Sequence, residues 1–362
     1  MTTAFIPAAA AITALLLWVQ YPLRKKGNLW VNAACLAVKA VLICAASLSV
    51  LTLDTWASWH LGLLVTAAYA ALWADTLTGL ISCLLRLIRK KAAPYKRTVL
   101  AAALVLIAVL AYGMGNEKHS VLKTCTVRSD KLTAPYSVVF VSDIHYGDPS
   151  EPDKLIADVA RINALQPDIV ILGGDITDDF TSLAEMQEAY RILSGLRSKT
   201  CFIFGNHDLQ AHARLADGAQ YTEAELLGQI EAAGITVLRD ALIPLRDDIL
   251  LLGREDASLP AGRKALADFA PHDAFLLIAD HSPYDSEDIR LSGADLQLSG
   301  HSHAGQLFPN SLLMALLDYN VYGRYTFGET ELIVSAGEGV WHTPFRTDAH
   351  SEILLVNLLP AE

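Results

Sequence analysis

Aspartate, asparagine and histidine side chains follow five short apolar segments in the C-terminal two-thirds of the sequence. They are Asp143, His145, Asp175, Asn206, His281, His301 and His303. Carboxylate, imidazole and amide groups without thiolate form a ligand set that suits Zn, Mn or Fe. Any one of these motifs alone is weak evidence, because Asp, Asn and Gly are common in turns. Their occurrence in order, each after an apolar run, predicts a metal centre.

The apolar runs before these residues are typical of strands that are buried on both faces. Helical patterns lie between several of them, so this part of the chain is predicted to fold as an α/β layered domain. In such sheets ligands gather beyond the carboxyl ends of the strands, which would bring the five motifs together. The predicted strands are residues 137–141, 169–172, 201–204, 249–252, 275–278, 296–298, 332–335 and 353–356, and the predicted helices are 153–165, 183–196 and 223–233.

The first third of the sequence differs in composition from the rest. It contains four apolar stretches near or above the ~20 residues needed to cross a bilayer, the last being the shortest, with short polar loops between them. The sequence therefore predicts a four-helix transmembrane region over 1–115, a linker over 116–134 and the α/β domain over 135–362. The four stretches cover residues 5–21, 29–53, 59–88 and 99–113.

The charge distribution predicts an orientation. Residues 1–115 contain ten Lys/Arg and two acidic residues, whereas the rest of the chain has a net charge of −19. The basic residues cluster in the first and third loops, at 24–26 and 89–97. By the positive-inside rule these loops face the cytoplasm, so we expect a multi-pass cell-membrane protein with an extracytoplasmic α/β domain. The acidic domain argues against nucleic acid as a partner, because binding a polyanion needs a basic surface.

Three further features leave alternatives open. Lys39 and Asp75 lie inside predicted spans, where we expect either that they pair with each other or that Lys39 extends to the membrane surface, rather than a function of their own. Cys125 and Cys201 are far apart in sequence and are expected to be free rather than disulfide-bonded. The apolar run 312–317 follows the last ligand motif. We expect it to be a buried helix, and the alternative is a lipid-facing surface beside the site.

The motifs together resemble one family of enzymes. The ordered set Asp143-x-His145, Gly174-Asp175, Gly205-Asn206-His207-Asp208, His281 and Gly300-His301-x-His303 resembles the calcineurin-like metallophosphoesterase superfamily over about residues 135–358. The tail from Ser335 to Arg346 is similar to a bacterial branch with an N-terminal membrane anchor, and the layout is similar to that of transmembrane proteins with a metallophosphoesterase domain. The resemblance implies an α/β/β/α sandwich that holds two divalent metal ions (Mn, Zn or Fe) at one edge.

The resemblance also implies a role for each residue of the set. Asp175 would bridge the two ions, and a hydroxide held between them would attack a phosphate ester in line. His207 would act on the substrate as a proton donor or charge stabiliser, and Asp208 would orient His207. The first ion would be bound by Asp143, His145 and His303, and the second by Asn206, His281 and His301.

Two sequence differences argue against purple acid phosphatase activity and against Ser/Thr protein phosphatase activity. Purple acid phosphatases have Tyr where this chain has Asp178, and the Asp-Arg-Gly of Ser/Thr protein phosphatases is missing after Asp175. We therefore expect a membrane-anchored phosphodiesterase or phosphatase that acts on a phosphate mono- or diester, which could be a phospholipid or a lipid-linked ester. His342 and Arg346 could contact a substrate phosphate, or could belong to a structural loop with a surface arginine.

Two alternative functions stay open. One is a lipid-precursor pyrophosphatase of the UDP-diacylglucosamine type that faces the cytoplasm, which the expected outward orientation argues against. The other is a non-enzymatic membrane receptor or scaffold. A scaffold would be expected to have lost metal ligands, and none of the seven is missing.

Overall fold

The structure is a computed structural model. The predicted spans over 5–21 and 29–53 fall largely outside the residues that it describes. These are residues 12, 13, 16, 35, 37–46, 56–89, 95–147, 151–211, 218–258, 262–269, 273–284, 289, 293–341 and 343–361.

Two long helices occupy the positions of the third and fourth predicted spans. Helix α1 covers Trp56–Arg89 and helix α2 covers Tyr95–Lys118. Within them, the segments Leu64–Ser82 and Lys96–Lys118 are long and apolar enough to cross a membrane. A shorter apolar helix, Ala37–Ala46, lies before them. Length and composition therefore support membrane association of this part of the chain.

Lys39 and Asp75 form an ion pair, and both side chains are buried. This confirms the expectation that the two charges within the apolar helices pair with each other. Burying either charge alone would be costly, whereas a direct pair compensates each with the other.

Segments from the C-terminal part of the sequence pack within the compact unit formed by these helices. The unit contains Leu307–Asn310 and residues 343–347 as well as the N-terminal residues. The Tyr69 hydroxyl donates to the Phe308 carbonyl at 2.6 Å, and the Arg346 N–H donates to the Gly113 carbonyl at 2.9 Å. Arg346 is fully buried. The interpretation of Arg346 as a surface arginine is therefore wrong, and His342 lies outside the described residues.

The second compact unit contains two six-stranded mixed sheets. The first sheet has the strand order β1-β12-β2-β3-β4-β5, and the second has the order β10-β11-β9-β8-β7-β6. The strands of the first sheet are β1 Val121–Ser129, β2 Tyr136–Val141, β3 Ile169–Leu172, β4 Lys199–Phe202, β5 Thr236–Val237 and β12 Glu352–Pro360. Those of the second are β6 Ala241–Arg246, β7 Ile249–Gly253, β8 Phe275–Ala279, β9 Leu296–Ser299, β10 Gly323–Phe327 and β11 Thr330–Val334.

Parallel pairing in both sheets brings the ligand-bearing strand ends to common edges. Strands β2, β3, β4 and β5 are parallel neighbours in the first sheet, and β7, β8, β9 and β11 are parallel neighbours in the second. Strand β12 is antiparallel to β2 but parallel to β1. One core cluster joins the facing sides of the two sheets, with Phe140 and Ile171 from the first and Leu251 and Leu277 from the second.

Three helices cover the other face of the first sheet. They are α3 Glu151–Leu165, α4 Leu183–Leu193 and α5 Glu223–Ala232. Helices α4 and α5 each begin with a capping box, at Ser182 with Glu185 and at Thr222 with Glu225. These boxes satisfy backbone N–H groups that the first turn leaves free.

The predicted α/β class and all eight predicted strands are confirmed. The predicted helices over 153–165, 183–196 and 223–233 match α3, α4 and α5. Over the outer face of the second sheet, the described residues include a 3₁₀ turn, Leu266–Asp268, and the isolated helical residue Ile289. The resemblance implied a second helical layer on this face, which would complete the α/β/β/α sandwich. That layer therefore remains an expectation.

Two parts of the second unit differ from expectation. Strand β1, Val121–Ser129, lies within the predicted linker 116–134 and pairs with β12 over nine residues. Helix α6, Asn310–Ala315, contains the first part of the apolar run 312–317, which we expected to be buried. At the end of this run, Leu316 and Leu317 are 72% and 69% exposed. The expectation of an ordinary buried helix is wrong. Cys125 and Cys201 are both free, as expected.

Candidate metal centre

The structure brings the predicted ligands together at the ends of the parallel strands. Asp143 and His145 follow β2, Asp175 follows β3, and Asn206 follows β4 in the first sheet. His281 follows β8, and His301 and His303 follow β9, in the second sheet. The site therefore lies where the two sheets present their carboxyl ends to each other.

Asp143, His145 and His303 form the first cluster, in which the possible ligand atoms all lie within 4.8 Å of one another. The Nε2 atoms of His145 and His303 are 3.0 Å apart, and Asp143 Oδ1 is 3.6 Å from His303 Nε2. All three residues are buried. Three acceptor atoms that converge in a buried space could hold a cation.

Asp175, His281 and His301 form the second cluster, again within 4.8 Å. His281 Nδ1 lies 2.8 Å from the Gly173 carbonyl, which fixes Nδ1 as the protonated nitrogen when the ring is neutral. His281 Nε2 is then free to face His301 Nδ1 at 3.2 Å and Asp175 Oδ2 at 3.1 Å. A backbone carbonyl that sets the tautomer in this way is a common second partner of metal-binding histidines.

Asp175 lies between the two clusters. Its Oδ2 atom is 3.1 Å from His281 Nε2 in the second cluster and 3.7 Å from His145 Nε2 in the first. The other oxygen, Oδ1, accepts a hydrogen bond of 2.8 Å from the His207 N–H. One carboxylate oxygen is thus anchored by the backbone, while the other is within reach of both candidate ion positions.

Asn206 is the one predicted ligand that belongs to neither cluster. Its Oδ1 atom is buried and has no hydrogen-bond partner among the residues that the structure describes. A buried amide oxygen without a partner costs about 1–3 kcal/mol, so a cation ligated there would remove that cost. With Asn206, the clusters supply four imidazoles, two carboxylates and one amide. This donor set fits two divalent ions.

Buried charges dominate the electrostatics of the two clusters. Burial opposes ionisation of Asp175, yet His281 and His207 hold the pKa of its carboxyl well below the usual value. Burial and the charge of His281 lower the pKa of His301 to about 4. The carboxylate is therefore ionised and His301 is neutral at neutral pH. These are the forms in which each residue can bind a metal.

The backbone of the ligand residues is strained. Asp143, His145, Asp175, His301 and His303 all have positive φ angles, between 48° and 69°. Non-glycine residues rarely adopt this left-handed conformation, and each such residue costs free energy. Five strained residues among the seven predicted ligands are a concentration that is typical of functional sites.

Two glycines allow the ligand loops to approach each other closely. A Cβ atom on Gly205 would lie 2.2 Å from Asp175 Oδ1, and one on Gly174 would lie 2.5 Å from the Gly205 nitrogen. Gly174 also has a φ angle of +86°. A Cβ atom on Gly205 would displace Asp175, and one on Gly174 would collide with the Gly205 backbone, which explains why both positions are glycine.

The structure assigns different partners to His207 and Asp208 than the resemblance implied. The two Asp208 oxygens accept backbone N–H groups, from Asp175 and Gly205 at 2.8 Å and from Ile176 at 2.9 Å. The carboxylate next to the His207 ring is that of Asp179, which contacts His207 Nδ1. Asp208 therefore holds the loops together, and the expectation that it orients His207 is not met.

Asp178 and Asp179 are site residues that the sequence analysis did not single out. Asp178 Oδ2 lies 3.6 Å from His145 Nδ1, so this carboxylate faces the far nitrogen of a predicted ligand. Burial alone would lower the pKa of His207, but Asp175 and Asp179 raise it to about 9. A pair of aspartates just after the predicted bridging residue was the signal in the sequence that could have identified them.

Aromatic rings lie against both halves of the site. The Trp341 ring is 5.5 Å from the His207 ring, and Trp341 is held by two backbone hydrogen bonds to the Gln306 side chain. The Tyr284 ring is 5.3 Å from the ring of His301 at an angle of 77°. These contacts limit ring movement and reduce the access of water to the histidines.

Comparison with protein families gives one match. The model of the calcineurin-like phosphoesterase family matches residues 136–305. This range contains all seven predicted ligands together with His207 and Asp208. It also spans the strands from β2 to β9, which present the ligands.

Similar proteins have names that agree with this match. An uncharacterized metallophosphoesterase of Helicobacter pylori is 30% identical over 251 residues, covering 66% of this chain and 64% of that protein. A transmembrane protein with metallophosphoesterase domain from Danio rerio is 30% identical over 296 residues, covering 74% and 64%. An uncharacterized metallophosphoesterase of Campylobacter jejuni is 27% identical over 325 residues, covering 84% and 82%. The chain thus spans just under two thirds of the length of the first two relatives.

Proposed function

We propose that this chain, which carries a calcineurin-like metallophosphoesterase domain, hydrolyses phosphate mono- or diesters with the help of two divalent metal ions. The observation that carries the proposal is the position of Asp175, whose Oδ2 atom lies 3.1 Å from His281 Nε2 in one cluster of buried acceptors and 3.7 Å from His145 Nε2 in the other. Both clusters keep their complete set of ligand residues. That argues against a non-enzymatic receptor or scaffold, for which the ligands would have no use.

The clusters suggest how the ligands would be divided between two ions. Asp143, His145 and His303 would hold one ion, and His281, His301 and Asn206 would hold the other. Asp175 would be shared. When bound, two such ions polarise the phosphoryl group and activate water for in-line attack. The strained, hydrogen-bonded loops keep the ligand atoms in place before substrate arrives, so little reorganisation is needed during the reaction.

His207 acts on the substrate in this proposal. Its ring is buried beside Trp341, and its Nδ1 atom contacts Asp179. Nε2 is then the nitrogen that faces the reacting groups, and the raised pKa keeps the ring protonated at neutral pH. A protonated ring can stabilise the phosphate charge and can give its proton to the leaving oxygen.

Purified full chain should hydrolyse bis(p-nitrophenyl) phosphate or p-nitrophenyl phosphate when Mn²⁺ is supplied, and chelation by EDTA should abolish the activity. We expect about two equivalents of metal per chain by elemental analysis, and fewer in Asn206→Ala because the buried amide oxygen is lost. Asn163→Ala is the matched control, since Asn163 bonds to Gly195 and Arg197 in the loop before β4. Activity that persists after complete metal removal would refute the proposal.

The orientation in the membrane belongs to the same proposal. The basic loops at 24–26 and 89–97 favour an extracytoplasmic catalytic domain, whereas a UDP-diacylglucosamine-type pyrophosphatase would face the cytoplasm. Fusions of alkaline phosphatase and of a fluorescent protein to the C-terminus should separate these. We expect the alkaline phosphatase fusion to be active and the fluorescent-protein fusion to be non-fluorescent. The host should be a bacterium in which exported fluorescent proteins do not fold. The reverse result would place the domain in the cytoplasm.

A further inference from the structure

An exposed apolar surface lies beside the second half of the candidate metal centre. It consists of Leu312, Leu316, Leu317 and Tyr319, which are between 46% and 72% exposed. We call these four residues the Leu312–Tyr319 surface. Single exposed apolar residues are ordinary, but contiguous exposed apolar patches can mark binding sites for a ligand, a membrane or another protein. Three other large apolar residues are exposed among the described residues of the same unit: Val121, Ile156 and Tyr322. Val121 and Ile156 lie far from this run in sequence, whereas Tyr322 follows it closely.

Ring contacts connect this surface to a predicted metal ligand. The Tyr319 ring is 5.2 Å from the Tyr284 ring, and the Tyr284 ring is 5.3 Å from the ring of His301. Both contacts are edge-on, at 78° and 77°, which is a favourable arrangement for aromatic pairs. A ligand whose phosphate lies at the metal centre could therefore extend over Tyr284 and Tyr319 onto the exposed leucines.

Hydrogen bonds fix the surface to the ligand loop. The Asn320 side chain donates to the Pro283 carbonyl at 2.8 Å, which holds Tyr319 next to Tyr284. Ser302, between the two histidine ligands of β9, donates from its hydroxyl to the Val321 carbonyl. The surface is thus attached at a fixed position relative to the site, as a specificity surface must be.

We propose that the Leu312–Tyr319 surface binds the alkyl or acyl part of an amphiphilic phosphoester whose phosphate lies at the metal centre. This inference rests on the proposed function and names its substrate class. The exposed run carries the acidic residue Asp318 and no Lys or Arg, so it does not suit attraction to an anionic membrane surface. It suits uncharged hydrocarbon. The same chain also contains helices long enough to cross a membrane, and amphiphilic phosphoesters are membrane constituents.

Binding of alkylphosphonates of increasing length tests the inference. Methyl-, butyl- and octylphosphonate carry the same head group, so only the hydrocarbon differs between them. Full chain in nanodiscs with Mn²⁺ would be titrated by calorimetry, with empty nanodiscs to subtract partitioning. Burying one methylene completely improves affinity about fourfold, so partial coverage of the longer chain should give octylphosphonate an affinity at least about tenfold higher than methylphosphonate.

The double variant Leu316→Ser/Leu317→Ser should reduce this chain-length effect to about twofold or less and leave methylphosphonate binding unchanged. Both side chains are mostly exposed, so the fold should be unaffected. Ile156→Ser is the matched control, because Ile156 is 50% exposed on α3, and it should keep the full effect. A retained chain-length effect in the double variant would overturn the inference and would leave the surface as a protein interface.

The outcomes separate the inference from the proposed function. Equal affinity for all three phosphonates, together with hydrolysis of bis(p-nitrophenyl) phosphate, would overturn the inference alone. No heat with any phosphonate and no hydrolysis of either nitrophenyl ester would contradict the metal centre itself, and the inference would fail with it.

Discussion

Asp175→Asn should lower kcat/KM by about 10³-fold or more, which corresponds to about 4 kcal/mol of lost transition-state stabilisation. The change removes one negative charge and replaces it with an amide of the same shape. The amide oxygen can still accept the His207 N–H, so the backbone anchor at 2.8 Å survives. What is lost is the second carboxylate oxygen, which lies near His145 on one side and His281 on the other.

Two measurements accompany the rate. Metal content should fall below two equivalents per chain, because a neutral amide cannot bridge two cations as a carboxylate does. Thermal stability of the metal-free protein should fall at neutral pH, because His281 and His207 stabilise the Asp175 carboxylate, as its lowered pKa shows, and the neutral amide loses this stabilisation. Asp130→Asn, at an exposed position between β1 and β2, is the control and should match the unmodified chain in both respects. A variant of Asp175 with activity within tenfold of the unmodified chain would exclude its role as the bridge.

Much of this geometry could be predicted from the sequence because the strands that carry it are continuous apolar runs. Ile169–Leu172 and Phe275–Ala279 are buried at every position, so their composition alone separates them from the loops that follow. The ligands come at the ends of such runs. Parallel pairing then determines that they meet, whatever the details of the loops.

The strands that were missed lack this signal. Strand β1 has the sequence VLKTCTVRS and only one buried residue, so its composition is that of a polar linker and does not predict a strand. Strand β10 is half-exposed along its whole length. Each pairs along one side only, at the edge of its sheet, where exposure to solvent permits polar residues. Strand β12, the partner of β1, also lies far away along the chain, so short-range patterns in the sequence cannot predict that pairing.

Residue contacts were less predictable than strands. The family resemblance implied that Asp208 orients the neighbouring His207. The tight turn at Gly205 instead directs the Asp208 oxygens to backbone N–H groups, and Asp179 reaches the His207 ring from another loop. The exposure of Leu316 and Leu317 was also hidden. A run of leucines has the same composition whether it faces the core or the solvent.

His207→Gln should have the second largest effect, and its size should depend on the leaving group. General acid catalysis contributes typically about 10²–10⁴-fold, and most when the leaving oxygen is a poor one. We expect a loss of about 10²-fold or more with an ester whose leaving group is an alkyl alcohol, such as glycerol phosphate. With p-nitrophenolate as the leaving group the loss should be about tenfold, since that oxygen needs no proton. His119→Gln, at an exposed position before β1, is the control.

Variants of the two neighbouring aspartates distinguish a positioning role from a structural one. Asp179→Asn removes a charge that raises the pKa of His207, so the ring should lose its proton at lower pH and the alkaline limb of the kcat profile should move to lower pH. Asp208→Asn removes an acceptor from the backbone N–H groups of Asp175, Ile176 and Gly205. It should lower metal affinity and thermal stability and leave the alkaline limb in place. The opposite result is that Asp208→Asn moves the alkaline limb of the kcat profile and Asp179→Asn does not. In that case Asp208 is the partner of His207 during catalysis, and the contact between Asp179 and His207 has no catalytic role.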